Sequence, residues 1–154
     1  MSEIRGCAFP EHLLYDADLN LWFEPLSDDE YRVGITPFGA ALVGDLYMFN
    51  PKPLQRELEK NEPFALIEVA KTIITVRTPF ASIVTAANEP VQERPIKINR
   101  APLESWLVHL KAIDSDEARQ SLLPGHSIES RALELMDLNR FTSLEEFQKT
   151  KGNS

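Results

Sequence analysis

Cysteine is nearly absent from this sequence, since Cys7 is the single thiol among 154 residues. One cysteine cannot close an internal disulfide, and it excludes a zinc centre built from several thiolates. Gly6 and Pro10 interrupt the first residues, so we expect residues 1–11 to be irregular and mobile. The charge of nearby Glu3 would not lower the pKa of the Cys7 thiol, so no nucleophile is expected there.

Long apolar runs are also missing. No segment is long enough to predict a membrane-spanning helix, and the N-terminus lacks the charged and apolar regions of a signal peptide. We therefore expect a cytoplasmic protein with no membrane partner.

Basic residues are in the minority. The chain has 16 lysines and arginines against 24 aspartates and glutamates, which gives a formal net charge of −8. A nucleic-acid backbone would be repelled, and no basic stripe with interleaved aromatic residues is present. An acidic surface suits docking onto basic patches of other proteins, so we expect protein partners and no nucleic acid.

Motifs of common enzyme families are absent as well. The three histidines, His12, His109 and His126, are far apart, and none has metal-ligand spacing to a carboxylate. His109 lies between apolar residues of a predicted strand, which favours a sheet histidine over a ligand. The acidic pairs at 28–29 and 145–146 are most simply a solvated turn and a solvated helix face. The sequence therefore predicts no catalytic residues and no metal site.

What is present is a series of short β-rich runs followed by helical patterns. A short helix interrupts the strands at 37–43, where Thr36 can cap, Pro37 fits the first turn and Gly44 can end it. Residues 57–62 are expected to form a charged turn and 90–102 an ordered loop. The predicted strands cover residues 13–15, 19–23, 31–36, 45–49, two runs within 64–79, 81–86 and, as the last strand, 106–110.

The composition becomes helical from residue 114 onward. Asp114 and Glu117 have the spacing of an N-terminal capping box, and so do Ser143 and Glu146. An apolar stripe at helical spacing lies between these two boxes, in residues 128–136. Strands first and helices afterwards predict a β-barrel or sandwich core with a helical C-terminal appendage.

Lys71 is the only charged residue between Glu68 and Arg77, at the point where two β-rich runs meet. Such a lysine can be a solvent-facing residue that discourages strand pairing at an edge. It can also be displayed at the tip of a hairpin so that a group can be attached to it as an amide. The local sequence leaves both interpretations open.

Four stretches, in the same order and with compatible spacing, point to a family. They are residues 10–15 with 21–23; residues 33–36 with 42–45; residues 68–71 with Pro79 and Val84; and Asn88 and Asn99 with 105–106. With these stretches the chain resembles the lipoyl-carrying H-protein of the glycine cleavage system and the related H-protein-like lipoate-binding proteins. The resemblance spans about residues 10–110.

The resemblance implies a fold and a site. The fold would be mainly β, a flattened β barrel-sandwich hybrid with C-terminal helices, forming one lipoyl-carrier domain over 1–154. Its core would cover about 10–112 and a helical extension about 113–148. Lys71 would carry covalently attached lipoate, and Glu68 would belong to the recognition element around it. The protein would be a non-catalytic, monomeric carrier loaded by a lipoate ligase or lipoyl transferase.

Departures from the family pattern leave three functions open. The residues around the lysine are unusually apolar, with Val69 before it and 72–74 after it, and Ser82 and Ser105 replace the usual glycines. The Gly-Cys-x-x-Pro start resembles the branch linked to sulfur oxidation, with a heterodisulfide-reductase-like complex as partner, which we take as the main hypothesis. The first alternative is glycine cleavage, with glycine decarboxylase, aminomethyltransferase and dihydrolipoamide dehydrogenase as partners.

The second alternative is an unlipoylated interaction module. A biotin carrier is disfavoured, because the usual Met-Lys-Met setting is missing.

Overall fold

The structure, a computed structural model, describes residues 2–152 of the chain. The strands are β1 (Ser2–Ile4), β2 (Cys7–Phe9), β3 (Leu14–Asp16), β4 (Leu21–Pro25), β5 (Glu30–Ile35), β6 (Met48–Pro51), β7 (Glu57–Leu58), β8 (Pro63–Val69), β9 (Thr72–Arg77), β10 (Ser82–Ala87), β11 (Val108–Ala112) and β12 (Leu123–Pro124). The helices are α1 (Pro37–Val43), α2 (Glu89–Glu93), α3 (Ile96–Arg100), α4 (Ser115–Gln120), α5 (Glu129–Leu138) and α6 (Leu144–Gly152), with a 3₁₀ turn at Gly125–Ser127.

The strands form three antiparallel sheets. The largest has the order β12-β3-β4-β5-β11-β10-β7, the second has the order β6-β8-β9, and β1 pairs with β2. Within the described residues the sheets are flattened and do not close into a barrel. Together with the C-terminal helices, this architecture confirms the predicted fold class.

The main core lies between the seven-stranded and the three-stranded sheet. Strands of the first contribute aromatic residues such as Phe23 and Tyr31, and strands of the second contribute Phe49, Phe64 and Ile67. All five side chains are buried. Burial of each side chain of this size stabilises the fold by about 1.5–3 kcal/mol, so the two sheets are held together chiefly by these residues.

A second cluster forms beside the main core and joins the two ends of the chain. The N-terminal hairpin packs there against Trp22, Ile128, Met136 and Phe141. The backbone amide of Leu144 donates a hydrogen bond of 2.9 Å to the carbonyl of Arg5. The C-terminal helices therefore complete a cluster that the first strands begin.

The expectation of an irregular, mobile segment at 1–11 was wrong for the residues described there. Strands β1 and β2 form a hairpin whose turn places Arg5 at φ 50° and Gly6 at φ 88°. The Arg5 guanidinium donates to the Asp137 carboxylate at 2.8 Å and to the Phe141 carbonyl at 3.0 Å. These partners are far away in sequence, which is why the local pattern of breakers was misleading.

The expected loop at 90–102 was also wrong, because α2 and α3 form there. Each of these helices has five residues and buries one side chain, Val91 in α2 and Ile98 in α3. A helix with one buried residue shows no helical repeat in its sequence. Side-chain hydrogen bonds hold the segment, with the Asn88 amide donating to the Trp106 carbonyl at 2.7 Å.

Other boundaries moved by smaller amounts. Strand β6 begins at Met48 and includes Pro51, whereas we predicted a strand at 45–49. The expected charged turn at 57–62 begins with the short strand β7. Strand β11 is not the last one, because β12 pairs with β3.

The helix ends predicted from capping residues are confirmed. The Thr36 hydroxyl accepts a hydrogen bond of 3.0 Å from the Gly39 amide, and Gly44, at φ 80°, ends α1. Asp114 caps α4 by accepting from two backbone amides. The Ser143 hydroxyl accepts from the Glu146 amide at 3.1 Å at the start of α6. Among the described residues, no helix is both long and apolar enough to cross a membrane.

One glycine is required by the packing of the largest side chain in β4. Gly34 lies directly opposite Trp22 in the pairing of β4 with β5. A Cβ at this position would lie 2.3 Å from the indole ring, which no real side chain tolerates. The indole in turn donates to the Pro102 carbonyl at 3.1 Å, so Trp22 fixes the segment after α3 against this sheet.

Candidate functional site

Lys71 lies in the two-residue connection between β8 and β9. Val69 pairs with Thr72, so only Ala70 and Lys71 remain outside the ladder. Both residues are exposed, and so is Thr72. The predicted display of this lysine at the tip of a hairpin is therefore the arrangement found.

The turn itself needs no glycine. Neither Ala70 nor Lys71 is among the residues with positive φ. Turns of types I′ and II′, which are common in two-residue hairpins, require positive φ and are therefore excluded. Ordinary L-residues fit this turn without strain, which is how alanine and lysine can occupy it.

Most residues at the other end of the hairpin are buried. We call residues 63–65 and 76–78, with the side chains packed around them, the root, and residues 70–73 the tip. Phe64 is fully buried in the root, and the Thr78 hydroxyl donates to the Phe80 carbonyl at 2.7 Å. The same hydroxyl lies 3.3 Å from the Ser82 hydroxyl. The tip is thus carried on a strand pair that is firmly packed at its base.

The two isoleucines after the lysine differ in direction. Ile73 is 60% exposed on the outer face of the sheet, whereas Ile74 is partly buried and packs against the main core. Alternation of side chains along a strand accounts for the difference. Val69, Ile73 and Ile74 are the apolar residues near Lys71 that depart from the family pattern. Of these three, Ile73 has the exposed side chain.

Glu68 occupies the outer face of β8, three residues before the lysine. It pairs with Met48 on one side and with Ile73 on the other. Its backbone carbonyl accepts a hydrogen bond of 2.8 Å from the Tyr47 amide. In the part of the chain that the structure describes, neither Glu68 nor Lys71 forms an ion pair, so both charged groups remain available to a partner.

The position of Met48 was missed by the sequence argument. Met48 is 46% exposed and lies beside Glu68, although twenty positions separate them in sequence. Only the register between β6 and β8 brings the two together, and no local motif reports that register. The β propensity of residues 45–49 was the one available signal.

His109 is a satisfied sheet histidine, as predicted. Its Nε2 accepts a hydrogen bond of 3.4 Å from Arg32 Nε, and its ring lies 4.4 Å from that of Trp106, centroid to centroid. Burial lowers the pKa of His109, and the charge of Arg32 lowers it further. No group of three or more potential metal ligands exists within the residues described, and the acidic pairs at 28–29 and 145–146 belong to a turn and a helix.

Cys7 is buried in the second cluster, not mobile as we expected. Burial raises the pKa of its thiol to about 11, and the negative charge of Glu3 adds to the effect. A thiol with so high a pKa is almost entirely protonated at neutral pH and is a poor nucleophile. The predicted lack of reactivity thus follows from burial first and from Glu3 only second.

A groove of about 680 Å³ lies between α1, α3 and α6. Its walls include Pro37, Asp45, Arg100 and Leu144, and they include no residue of the β8–β9 hairpin. Lys71, which is exposed at the tip, therefore lies outside this groove.

Comparison with known proteins agrees with this arrangement. The family model of the glycine cleavage H-protein matches residues 13–134. Glycine cleavage system H protein 2 of Aquifex aeolicus is 29% identical over 138 residues, covering 89% of this chain and 86% of the relative. H protein 1 of the same organism is 37% identical over 98 residues, covering 64% of this chain and 68% of the relative.

A solved structure shows the same fold. The crystal structure of a glycine cleavage system H protein from Mycobacterium marinum superposes with a TM-score of 0.60 at 23% identity, covering 72% of this chain and 97% of that chain. Because the family model matches most of the sequence, the protein belongs to the lipoyl-carrying glycine cleavage H-protein family.

Proposed function

We propose that this protein is a non-catalytic carrier to which lipoate is attached through an amide at Lys71. Glu68 forms part of the element by which the loading enzyme recognises the site. The supporting observation is that Lys71 is the charged residue of a two-residue turn and is exposed at the tip of a hairpin whose root is largely buried. The whole of 1–154 acts as a single carrier domain around this hairpin.

The chemistry at Lys71 is acyl transfer. The neutral Nζ attacks the carbonyl carbon of an activated lipoyl group, and a C–N bond forms. The bond from that carbon to the leaving group breaks, the leaving group takes the electron pair, and Nζ loses a proton to solvent or base. The amide carries no charge, so the lysine becomes a long, neutral arm. A lipoate ligase or a lipoyl transferase supplies the activated group.

The protein's own contribution is positioning. The root, packed around Phe64 and Thr78, fixes where the arm begins, and the exposed tip lets the arm enter the active sites of other enzymes. Lipoate supplies the sulfur chemistry of group and electron transfer when it is attached. Tethering raises the effective concentration of the carried group at each partner, so successive encounters become nearly intramolecular.

Glycine cleavage is the process that the relatives favour. Both the matching family and the Aquifex proteins are named for the glycine cleavage system. In this assignment the partners are glycine decarboxylase, aminomethyltransferase and dihydrolipoamide dehydrogenase. Lipoate held at Lys71 would supply the sulfur chemistry that carries an aminomethyl group between the first two, and the third would return it to its oxidised form. This assignment replaces the sulfur-oxidation hypothesis as the first choice.

A sulfur-oxidation carrier, working with a heterodisulfide-reductase-like complex, remains the second candidate. One organism holds H proteins numbered 1 and 2 that both resemble this chain, so more than one carrier of this type can serve one cell. Ile73, two residues after Lys71, is exposed in this chain and is in a position to contact the partner that receives the lysine.

Intact-mass analysis after co-expression with a lipoate ligase tests the attachment. Wild-type protein should gain one lipoyl group, and Lys71→Arg, which keeps the charge, should gain none. Absence of any addition on the wild type, or an addition that survives Lys71→Arg, would contradict the proposal. If the wild type gains no lipoyl group but binds a partner protein stably, the protein is an unlipoylated interaction module.

The lipoylated protein then distinguishes the two carrier roles. Incubation with glycine and glycine decarboxylase should release carbon dioxide and add an aminomethyl group to the protein, seen by mass. The protein would be assigned to sulfur oxidation by two results together. An active decarboxylase would release no carbon dioxide, and a heterodisulfide-reductase-like complex would oxidise or reduce the attached lipoate.

A further inference from the structure

The outer face of the three-stranded sheet carries an apolar surface beside Lys71. Met48, Glu68 and Ile73 stand side by side on β6, β8 and β9, as the pairing registers show. Directly paired residues have Cβ atoms about 4.5–5.5 Å apart, so these three side chains form one continuous row. We call it the outer row.

Two of the three side chains in the outer row are apolar and yet exposed to solvent. Met48 is 46% and Ile73 60% exposed, whereas the inner faces of the same strands bury Phe49, Ile67 and Val76. The two exposed side chains therefore add little to the core. In the next row of the same face, half-buried Leu66 stands between exposed Asn50 and Thr75, so the strongly exposed apolar side chains are those of the outer row. Clustered apolar exposure of this kind marks interaction surfaces.

A carboxylate lies at the centre of this apolar row. Glu68 stands between Met48 and Ile73 and has no ion-pair partner in residues 2–152. An apolar partner surface that covered the row would desolvate this charge, which is costly unless the partner supplies a cation. The complementary surface is therefore apolar with one basic side chain at its centre.

The row is close enough to Lys71 to be touched whenever the lysine is modified. Glu68 precedes the lysine by three residues and Ile73 follows it by two. At about 3.4 Å per residue, the backbone positions of Glu68 and Ile73 lie roughly 7–10 Å along the strands from Lys71. An enzyme that admits Lys71 into its active site must bring the rim of that site against this row.

We propose that Met48, Glu68 and Ile73 form the docking row for the enzyme that attaches lipoate to Lys71. This inference rests on the proposed function and adds the partner's chemistry, an apolar rim with a basic residue facing Glu68. A second copy of this chain fits poorly, because a twofold axis through the row would bring two Glu68 carboxylates together. Net charge of −8 likewise opposes self-association and favours a basic partner.

Steady-state lipoylation kinetics on the purified full-length chain test the docking row. The assay uses lipoate–protein ligase, ATP and lipoate, and intact mass reports the rate as the concentration of the carrier protein is varied. Two variants are compared with the wild type: a double variant that combines Met48→Ser and Ile73→Ser, and the single variant Glu68→Gln. The matched control is Leu138→Ser, because Leu138 is an aliphatic residue on α5 whose side chain is 76% exposed.

The double variant should raise KM for the carrier by about tenfold with kcat unchanged, because it removes uniform binding only. Glu68→Gln should raise KM and weaken the salt dependence of kcat/KM. Leu138→Ser should leave both constants at wild-type values. Circular dichroism and thermal unfolding confirm that each variant is folded.

The two proposals fail in different ways. If the wild type is never lipoylated, the proposed function is wrong. If the wild type is lipoylated and the double variant has the same KM as Leu138→Ser, the docking row is overturned while the carrier function stands.

Discussion

The root and the tip of the β8–β9 hairpin belong to the same two strands yet have opposite surroundings. At the root, Phe64 and Thr78 are fully buried, and a hydroxyl network ties Thr78 to Phe80 and Ser82. At the tip, Lys71 and Ile73 are exposed, and β9 is an edge strand of its sheet.

The contrast separates two tasks within one hairpin. Residues at the root determine the stability of the strand pair, because they are desolvated and closely packed. Exposed side chains at the tip contribute little to stability and are in a position to meet other proteins. Stability and recognition can therefore be altered largely independently along these strands, and four predictions test that separation.

Phe64→Ala should produce the largest effect. Removing a fully buried ring from the main core should lower the free energy of unfolding by about 3–5 kcal/mol. Urea unfolding followed by circular dichroism measures the change. A loss below about 1 kcal/mol would show that the root is not tightly packed.

Thr78→Val should come next. The replacement keeps the shape and removes the hydroxyl that donates to the Phe80 carbonyl and lies beside the Ser82 hydroxyl. Buried groups left without a partner cost about 1–3 kcal/mol. The control is Thr75→Val on the exposed outer face of β9, where a change of about 0.5 kcal/mol or less is expected. Equal effects at the two threonines would remove the distinction between root and outer face.

Ile67 and Ile73 allow the same substitution to be compared at a buried and at an exposed position. Ile67→Val should cost about 0.5–1.5 kcal/mol, because Ile67 is 1% exposed. Ile73→Val on the neighbouring strand should change stability by less than about 0.5 kcal/mol, because its side chain is in water. Thermal unfolding of both variants gives the comparison, which fails if Ile73→Val is the more damaging change.

Ala70→Gly should have a small effect and tests the turn. Ala70 does not have positive φ, so glycine gains nothing in the folded state and adds freedom to the unfolded chain. A loss of about 0.4–1 kcal/mol is expected. An increase in stability would mean that the turn requires glycine-like φ angles, contrary to the structure.

Sequence reasoning succeeded where the cause of a structure was local. Thr36 and Gly44 mark the two ends of α1 by their own hydrogen bonding and φ angle, and both were identified. The hairpin around Lys71 was predicted because β-branched residues flank a single charged position. The family fold followed from short stretches whose spacing is preserved.

It failed where the cause was distant. The hairpin of β1 and β2 packs against residues more than 100 positions away, among them Phe141, and Met48 meets Glu68 only through strand register. The short helices α2 and α3 bury one residue each, too few to leave a periodic signal. The exposed lysine at the hairpin tip was thus within reach of the sequence, and the strand register that sets Met48 beside Glu68 was not.

The joining of the two chain ends has a consequence for biosynthesis. The main core draws on residues no later than Leu122, whereas the cluster that buries Cys7 requires Ile128 and Phe141. Because synthesis proceeds from the N-terminus, the residues of the main core exist before those that complete the second cluster, and we expect the first strands to lack a cover until then. Until residues 128–141 have been added, we expect Cys7 to stay open to thiol reagents. Protection of this one sulfur would therefore report that the second cluster has formed.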